Sequence, residues 1–190
     1  MAFVSRIEIT NTLASNLPFS SGLFSQTGPS STIVNTTAET TLIDGGVGTL
    51  SVPANTFKQG DAFWAYMAGN LSANNGDTLT IRIKTAAGVT LASTGPIAMR
   101  NTSNLPFVLD LKFVIYQTGA AGVASILTYG FFQYQENASD KFNVYEAEFT
   151  NNTTFDTTIP NTLDITAQWG TASPTNSIQS YIFVLNQLYG

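Results

Sequence analysis

The chain has no cysteine and no histidine. Without thiols there is no disulfide scaffold, no thiolate zinc site and no cysteine nucleophile, and the fold is indifferent to redox compartment. Without imidazole the commonest general base near neutral pH is missing, as is the commonest transition-metal ligand. Charge is also scarce. Only 10% of the 190 residues are Asp, Glu, Lys or Arg, against about 25% in ordinary soluble domains. The seven basic residues are scattered and the net charge is −5, so no basic patch exists to displace counterions from phosphates, and nucleic acid is not an expected partner. No run approaches the ~20 apolar residues of a membrane span. The opening "MAFVSRIEIT" lacks the charged start and apolar core of a secretory signal, so synthesis and folding in a cytoplasm are expected.

Uncharged polar residues take the place of the missing charge. There are 27 Thr, 16 Ser and 16 Asn beside 43% hydrophobic residues, and Thr favours strands. With five Glu in the whole chain, helix formers are thin. The composition is that of an all-β protein, most simply one domain.

Residues 9–38 contain no charge, yet Leu13, Leu17, Phe19, Leu23 and Phe24 are spaced along them. Solvated disordered tails carry more charge and fewer aromatics. The stretch reads either as an extended arm (1–37), anchored by Leu17, Phe19, Leu23 and Phe24 on a neighbour, or as an edge strand with a long loop on its own domain. The sequence leaves both open.

From residue 38 to 190 strand patterns follow at short intervals. "TLTIRIK" (78–84) puts Leu79, Ile81 and Ile83 on one face and Thr80, Arg82 and Lys84 on the other, the period-2 signature of a half-buried strand. "FVLDLKFVIY" (107–116) buries Phe107, Leu109, Leu111, Phe113 and Ile115 and turns Asp110 and Lys112 to water. Gly130 interrupts "VASILTYGFFQYQ", predicting a bulge or corner. "FNVYEAEF" (142–149), "TLDITAQW" (162–169) and "SIQSYIFVLNQLY" (177–189) complete the set. Turn residues lie between them, at "PAN", "NNGD", "STGP", "SNLP", "NNTTFDTTIPN" and "TASPTN". "TLIDGGVGTLSVPANTFKQGDAF" (41–63) reads as strand, corner, strand. Eight to ten short strands imply an antiparallel two-sheet sandwich, and the longer connections suit a single jelly roll of about eight strands better than an up-and-down barrel.

Reactive constellations are few. Glu146 and Glu148 lie two apart on one strand face, as a glycosidase pair could, but Tyr145, Ala147 and Phe149 then face inward and leave both acids in water. "DGGVG" (44–48) lacks the Lys and Ser/Thr of a phosphate loop. "NNGD" lacks calcium-loop spacing. Six N-x-S/T triplets, at Asn35, Asn70, Asn101, Asn137, Asn151 and Asn152, follow from composition. No catalytic residue, metal or cofactor is expected. Trp64 and Tyr66 share one face of a strand whose other face carries Phe63, Ala65 and Met67; either can be the core one, and the outer pair would contact a subunit or a sugar ring.

Residues 36–63, "TTAETTLIDGGVGTLSVPANTFKQGDAF", with "TLTIRIK" and "GVTLASTG" after them, resemble a pattern found in virion proteins of tailed phages and large DNA viruses. Residues 161–189 resemble the C-terminal end of the same proteins. The resemblance implies a single jelly roll in a virus particle, either a fibre or spike head or a minor capsid protein such as the penton of five-fold vertices. With no coiled-coil stalk or fibrous shaft in the chain, the capsid component is the leading expectation: a homo-oligomer, pentameric before trimeric, docked on neighbouring capsid proteins. A trimeric head binding a host receptor or surface glycan is the alternative.

Overall fold

The computed structural model describes residues 21–136 and 141–189. Among them are fifteen strands and no helix. In chain order the first five are short: β1 (Ser21–Gln26), β2 (Ile33–Val34), β3 (Thr40–Thr41), β4 (Gly46–Gly48) and β5 (Ser51–Val52). Then come β6 (Ala62–Ala73), β7 (Thr78–Thr85), β8 (Thr90–Ser93), β9 (Ile97–Ala98) and β10 (Thr102–Gln117). The last are β11 (Ser125–Glu136), β12 (Lys141–Glu146), β13 (Phe149–Asn151), β14 (Asn161–Trp169) and β15 (Ser177–Tyr189).

They form two antiparallel sheets packed as a sandwich. Sheet A runs β12-β11-β10-β6-β15-β1-β4, with β13 beside β11 and β2 beside β15; sheet B runs β3-β14-β7-β8, with β5 beside β14 and β9 beside β7. β6, β7 and most of β10 and β11 alternate between core and surface, and in β7 and β10 the sequence alternates with them. β7 buries Leu79, Ile81 and Ile83 completely, and β10 buries all five residues its pattern pointed inward. Against them stand Met67 and Leu71 of β6, Phe183 of β15, and Ile165 and Trp169 of β14. Each such side chain contributes about 1.5–3 kcal/mol by leaving water. Within the sheets the neighbour orders β1-β15-β6-β10 and β3-β14-β7-β8 bring together strands far apart in the chain, as the crossovers of a jelly roll do.

Residues 40–62 do more than turn one corner. β3 lies in sheet B, β4 on the rim of sheet A, β5 back on sheet B and β6 in the middle of sheet A, so the segment laces one flank of the sandwich. Gly48 permits the crossing: its φ is +97°, and a Cβ there would strike the carbonyl oxygen of Leu23.

Three local expectations are corrected. "SNLP" is not a connection but the entry of β10, where the register with β6 shifts between Thr102 and Leu105 and Asn104 takes a φ of +51°. Gly130 sits in unbroken register with Leu111, without a bulge. The break lies in its other neighbour: "FNVYEAEF" is two strands, β12 and β13, and only the amide of Ala147 reaches the Gly130 carbonyl between them, at 2.9 Å. This leaves Phe149, expected inside, 43% exposed at the sheet margin.

Residues 21–34 belong to sheet A itself. β1 pairs with β15 and β4, β2 pairs with β15, and Phe24 and Ile33 are buried in the core. Phe24 packs on Phe183 at 5.9 Å, and Leu23 is half-buried against the core. Both are therefore anchors within their own sandwich. Leu17 and Phe19 lie outside the described residues.

Candidate interaction face

The two outer faces of the sandwich differ in chemistry. On sheet B the outward residues of β7 and β14 are polar and mutually paired. Glu39, just before β3, accepts from Lys84 Nζ at 2.6 Å, Arg82 Nη1 at 3.1 Å and Thr166 Oγ1 at 2.7 Å. Arg82 also donates to Gln168 Oε1 at 2.7 Å, and Thr41 Oγ1 to Asp164 Oδ1 at 2.7 Å. The hydrogen bond from Lys84, then that from Thr166, hold the Glu39 carboxyl below its ordinary pKa.

Sheet A turns the opposite chemistry outward. The pairings of β12, β11, β10, β6 and β15 place their outward residues in rows across the sheet. One row runs Val144, Gln133, Val108, Ala68, Ile182. The next runs Glu146, Phe131, Asp110, Tyr66, Val184, and a third Tyr129, Lys112, Trp64, Asn186. Of the large apolar members, Phe131 is 37% exposed, Tyr129 48%, Ile182 52% and Val144 57%. Exposed apolar side chains gathered on one sheet face, interspersed here with Gln133, Glu146, Asp110, Lys112 and Asn186, can mark an interaction site.

Trp64 and Tyr66 fall on this outer face, and Phe63, Ala65 and Met67 on the core side. Their rings lie 6.1 Å apart at 56°. Trp64 Nε1 donates to Asp110 Oδ1 at 3.0 Å, and Lys112 Nζ reaches the same oxygen at 3.1 Å. The polar groups in the middle of the face thus satisfy one another, and the Trp64 indole is oriented by its hydrogen bond to Asp110. Tyr129, Phe131, Val144 and Ile182 were not foreseen. Their signal was present: in "ILTYGFFQYQ" and "FNVYE" both phases of the alternation are largely apolar, which a strand with one wet face does not need.

Glu146 and Glu148 are both exposed. The strand break between β12 and β13 separates them, so they do not share one regular strand face. The Gly-rich residues 44–48 are taken up by the edge of β1: Gly46, Val47 and Gly48 pair with it, and the Gly45 carbonyl accepts the Thr27 amide at 3.2 Å.

Compared by sequence, the chain matches no protein-family model and no curated protein. Compared by structure, it is similar to the CBM2 module of the evolved Dit of Lactobacillus casei BL23 phage J-1, at 11% identity and a TM-score of 0.32, over 74% of this chain and 68% of that one. A likeness of this degree specifies neither fold nor role.

The face on sheet A offers apolar area with few charges: Asp110 and Lys112 pair with each other in its middle, and Glu146 stands exposed at its edge. Such a surface can be covered by another protein at small desolvation cost.

Proposed function

We propose that this chain is a structural subunit of a virus particle, a β-sandwich that assembles through the outer face of sheet A and catalyses nothing. One observation carries the reading: sheet B keeps its charges outward and paired, while sheet A exposes Tyr129, Phe131, Val144 and Ile182 around the Trp64–Asp110–Lys112 group. The resemblance of residues 36–63 and 161–189 to virion jelly rolls supports the setting, a vertex subunit of the penton type that packs on copies of itself and on adjoining shell proteins. Fivefold closure is favoured, and threefold is the other option. The scarcity of charge fits burial in a shell.

Sedimentation velocity tests the assembly. The wild-type chain should run as a closed oligomer, and the Phe131→Glu, Ile182→Glu double variant as a monomer with unchanged β-sheet circular dichroism. Wild-type protein that stays monomeric at every concentration overturns the reading.

A second reading rests on the aromatic pair. Trp64 and Tyr66, held beside Asp110 and Lys112, form a platform on which a sugar ring could stack, as in a trimeric spike or fibre head that binds a host glycan. Glycan-array binding that disappears in Trp64→Ala while the oligomer persists would favour it.

A further inference from the structure

The two ends of the sandwich are closed differently. At one end Asp77 Oδ2 accepts from Asn74 Nδ2 at 3.1 Å and from Asn176 Nδ2 at 2.9 Å, and Asn176 Oδ1 accepts the Asn74 amide at 3.1 Å. Side-chain amides therefore bridge the β6–β7 hairpin and the β14–β15 loop, beside a shallow polar hollow lined by Ser72, Asn74 and Thr175. At the other end, where β6, β11 and β14 begin and β7, β10 and β15 finish, the sheets enclose an open cleft of about 340 Å³. Its walls include Phe57, Phe63, Leu91, Phe113, Phe155 and Leu163. Phe57 stands edge-on to Phe63 at 6.0 Å and to Phe155 at 5.9 Å.

We propose that this cleft is a binding site for a small neutral apolar molecule, a ring or short alkyl chain with at most one polar group. The size is that of a ligand site, and at about 30 Å³ for each small heavy-atom unit it holds roughly ten of them. Thr49, Ser51, Thr56, Thr85, Asn161 and Gln187 also border the cleft, but most of its lining is apolar, so an apolar ligand gains by leaving water there. The two buried side-chain atoms without a hydrogen-bond partner among the described residues, Thr128 Oγ1 and Trp169 Nε1, do not belong to residues of the lining. No obligatory hydrogen bond is thus asked of the ligand. Asp61, buried at the start of β6, also lines the cleft, and its Oδ2 accepts the Lys58 amide at 2.8 Å. Its carboxylate lies against the site in a protein already at −5. An anionic head is therefore rejected, and a neutral one accepted.

Titration of the full-length protein with 1-nonanol and with nonanoate, followed by calorimetry and amide chemical shifts, tests this. Nonanol should bind with Kd on the order of 0.1 mM, at least ten-fold more tightly than nonanoate, and shift the amides of Phe57, Leu91 and Leu163. Leu163→Trp, which fills the cleft, should abolish binding with circular dichroism unchanged. Asp61→Asn keeps an acceptor for the Lys58 amide and should bring the two affinities within about three-fold of each other. No nonanol binding to the wild-type chain overturns the proposal, as does equal affinity for the two ligands. Binding that appears only in a full-length Leu17→Ser, Phe19→Ser variant also overturns it, by making the chain's own N-terminal residues the occupant.

Discussion

Trp64 on β6 and Asp110 on β10 are tied across adjacent strands by a 3.0 Å indole-to-carboxylate hydrogen bond, made in the middle of the outer face of sheet A. The same carboxylate oxygen takes the ammonium of Lys112. Asp110 thus fixes an aromatic ring and a charge at once.

Asp110→Ala should release Trp64. The other tryptophan, Trp169, is 1% exposed, so a red shift in emission and a faster anisotropy decay report on Trp64 alone. The cost should be about 1 kcal/mol, the net worth of a partly buried hydrogen bond. Asp110→Asn keeps the acceptor and should leave the spectrum near that of the wild type. Identical spectra for all three proteins would contradict the assignment.

Gly130→Ala should destabilise by roughly 2 kcal/mol, as overpacking between strands does. A Cβ on Gly130 falls on the carbonyl oxygen of Asp110 and within 2.8 Å of Leu111 Cα, and neither backbone can yield without parting β10 from β11. Gly45→Ala, where nothing lies within 4 Å, serves as control and should stay within about 0.5 kcal/mol. Urea midpoints decide between them.

Asn151 organises the loop that carries Phe155 into the cleft. Its Oδ1 accepts the amides of Thr153, Thr154 and Phe155 at 3.0–3.1 Å, and its Nδ2 donates to Thr90 O at 3.0 Å. Asn151→Ala strands those groups and should cost about 3 kcal/mol, with Asn151→Asp intermediate because it loses only the donor. Both changes should move the urea midpoint without changing the slope. Being 3% exposed, Asn151 should also resist glycan transfer in the folded protein despite its triplet.

Glu39 should make the sandwich acid-sensitive. Its carboxyl titrates below the ordinary value of 4.5 in the folded state, chiefly through the hydrogen bond from Lys84, so the unfolded chain takes up the proton first as pH falls. The stabilisation is complete above about 4.5 and is lost as pH drops from there through the lower folded-state value. Glu39→Gln should therefore be less stable than wild type at pH 7, and the gap should close towards pH 3. A gap independent of pH would refute the role of the charge.

The long strands were legible because their alternation has one clear phase. "TLTIRIK" has a single apolar face, and β7 follows it residue by residue. Trp64 and Tyr66 could not be assigned a side, because β6 is apolar in both phases and only the neighbouring strands decide which one meets sheet B. The lacing of residues 40–62 was invisible for another reason. β3, β4 and β5 are two or three residues long, too short to show a period, and are held by partners far away in sequence. Gly130 was read as a local kink because its constraint comes from a carbonyl on the adjacent strand. The apolar face was written in "ILTYGFFQYQ" and "FNVYE", but an outward aromatic there looks like a core one until register is known.

β15 lies between β6 and β1, filling the middle of sheet A with the latest-made of the described strands. Until residue 189 has left the ribosome, β6 and β1 each lack a neighbour on one side, and the nascent chain carries two open hydrogen-bonding edges. Closure is then a late, long-range event of the kind that makes β topologies slow to mature. Crowded synthesis should therefore trap this polypeptide in insoluble form more readily than its finished stability would suggest.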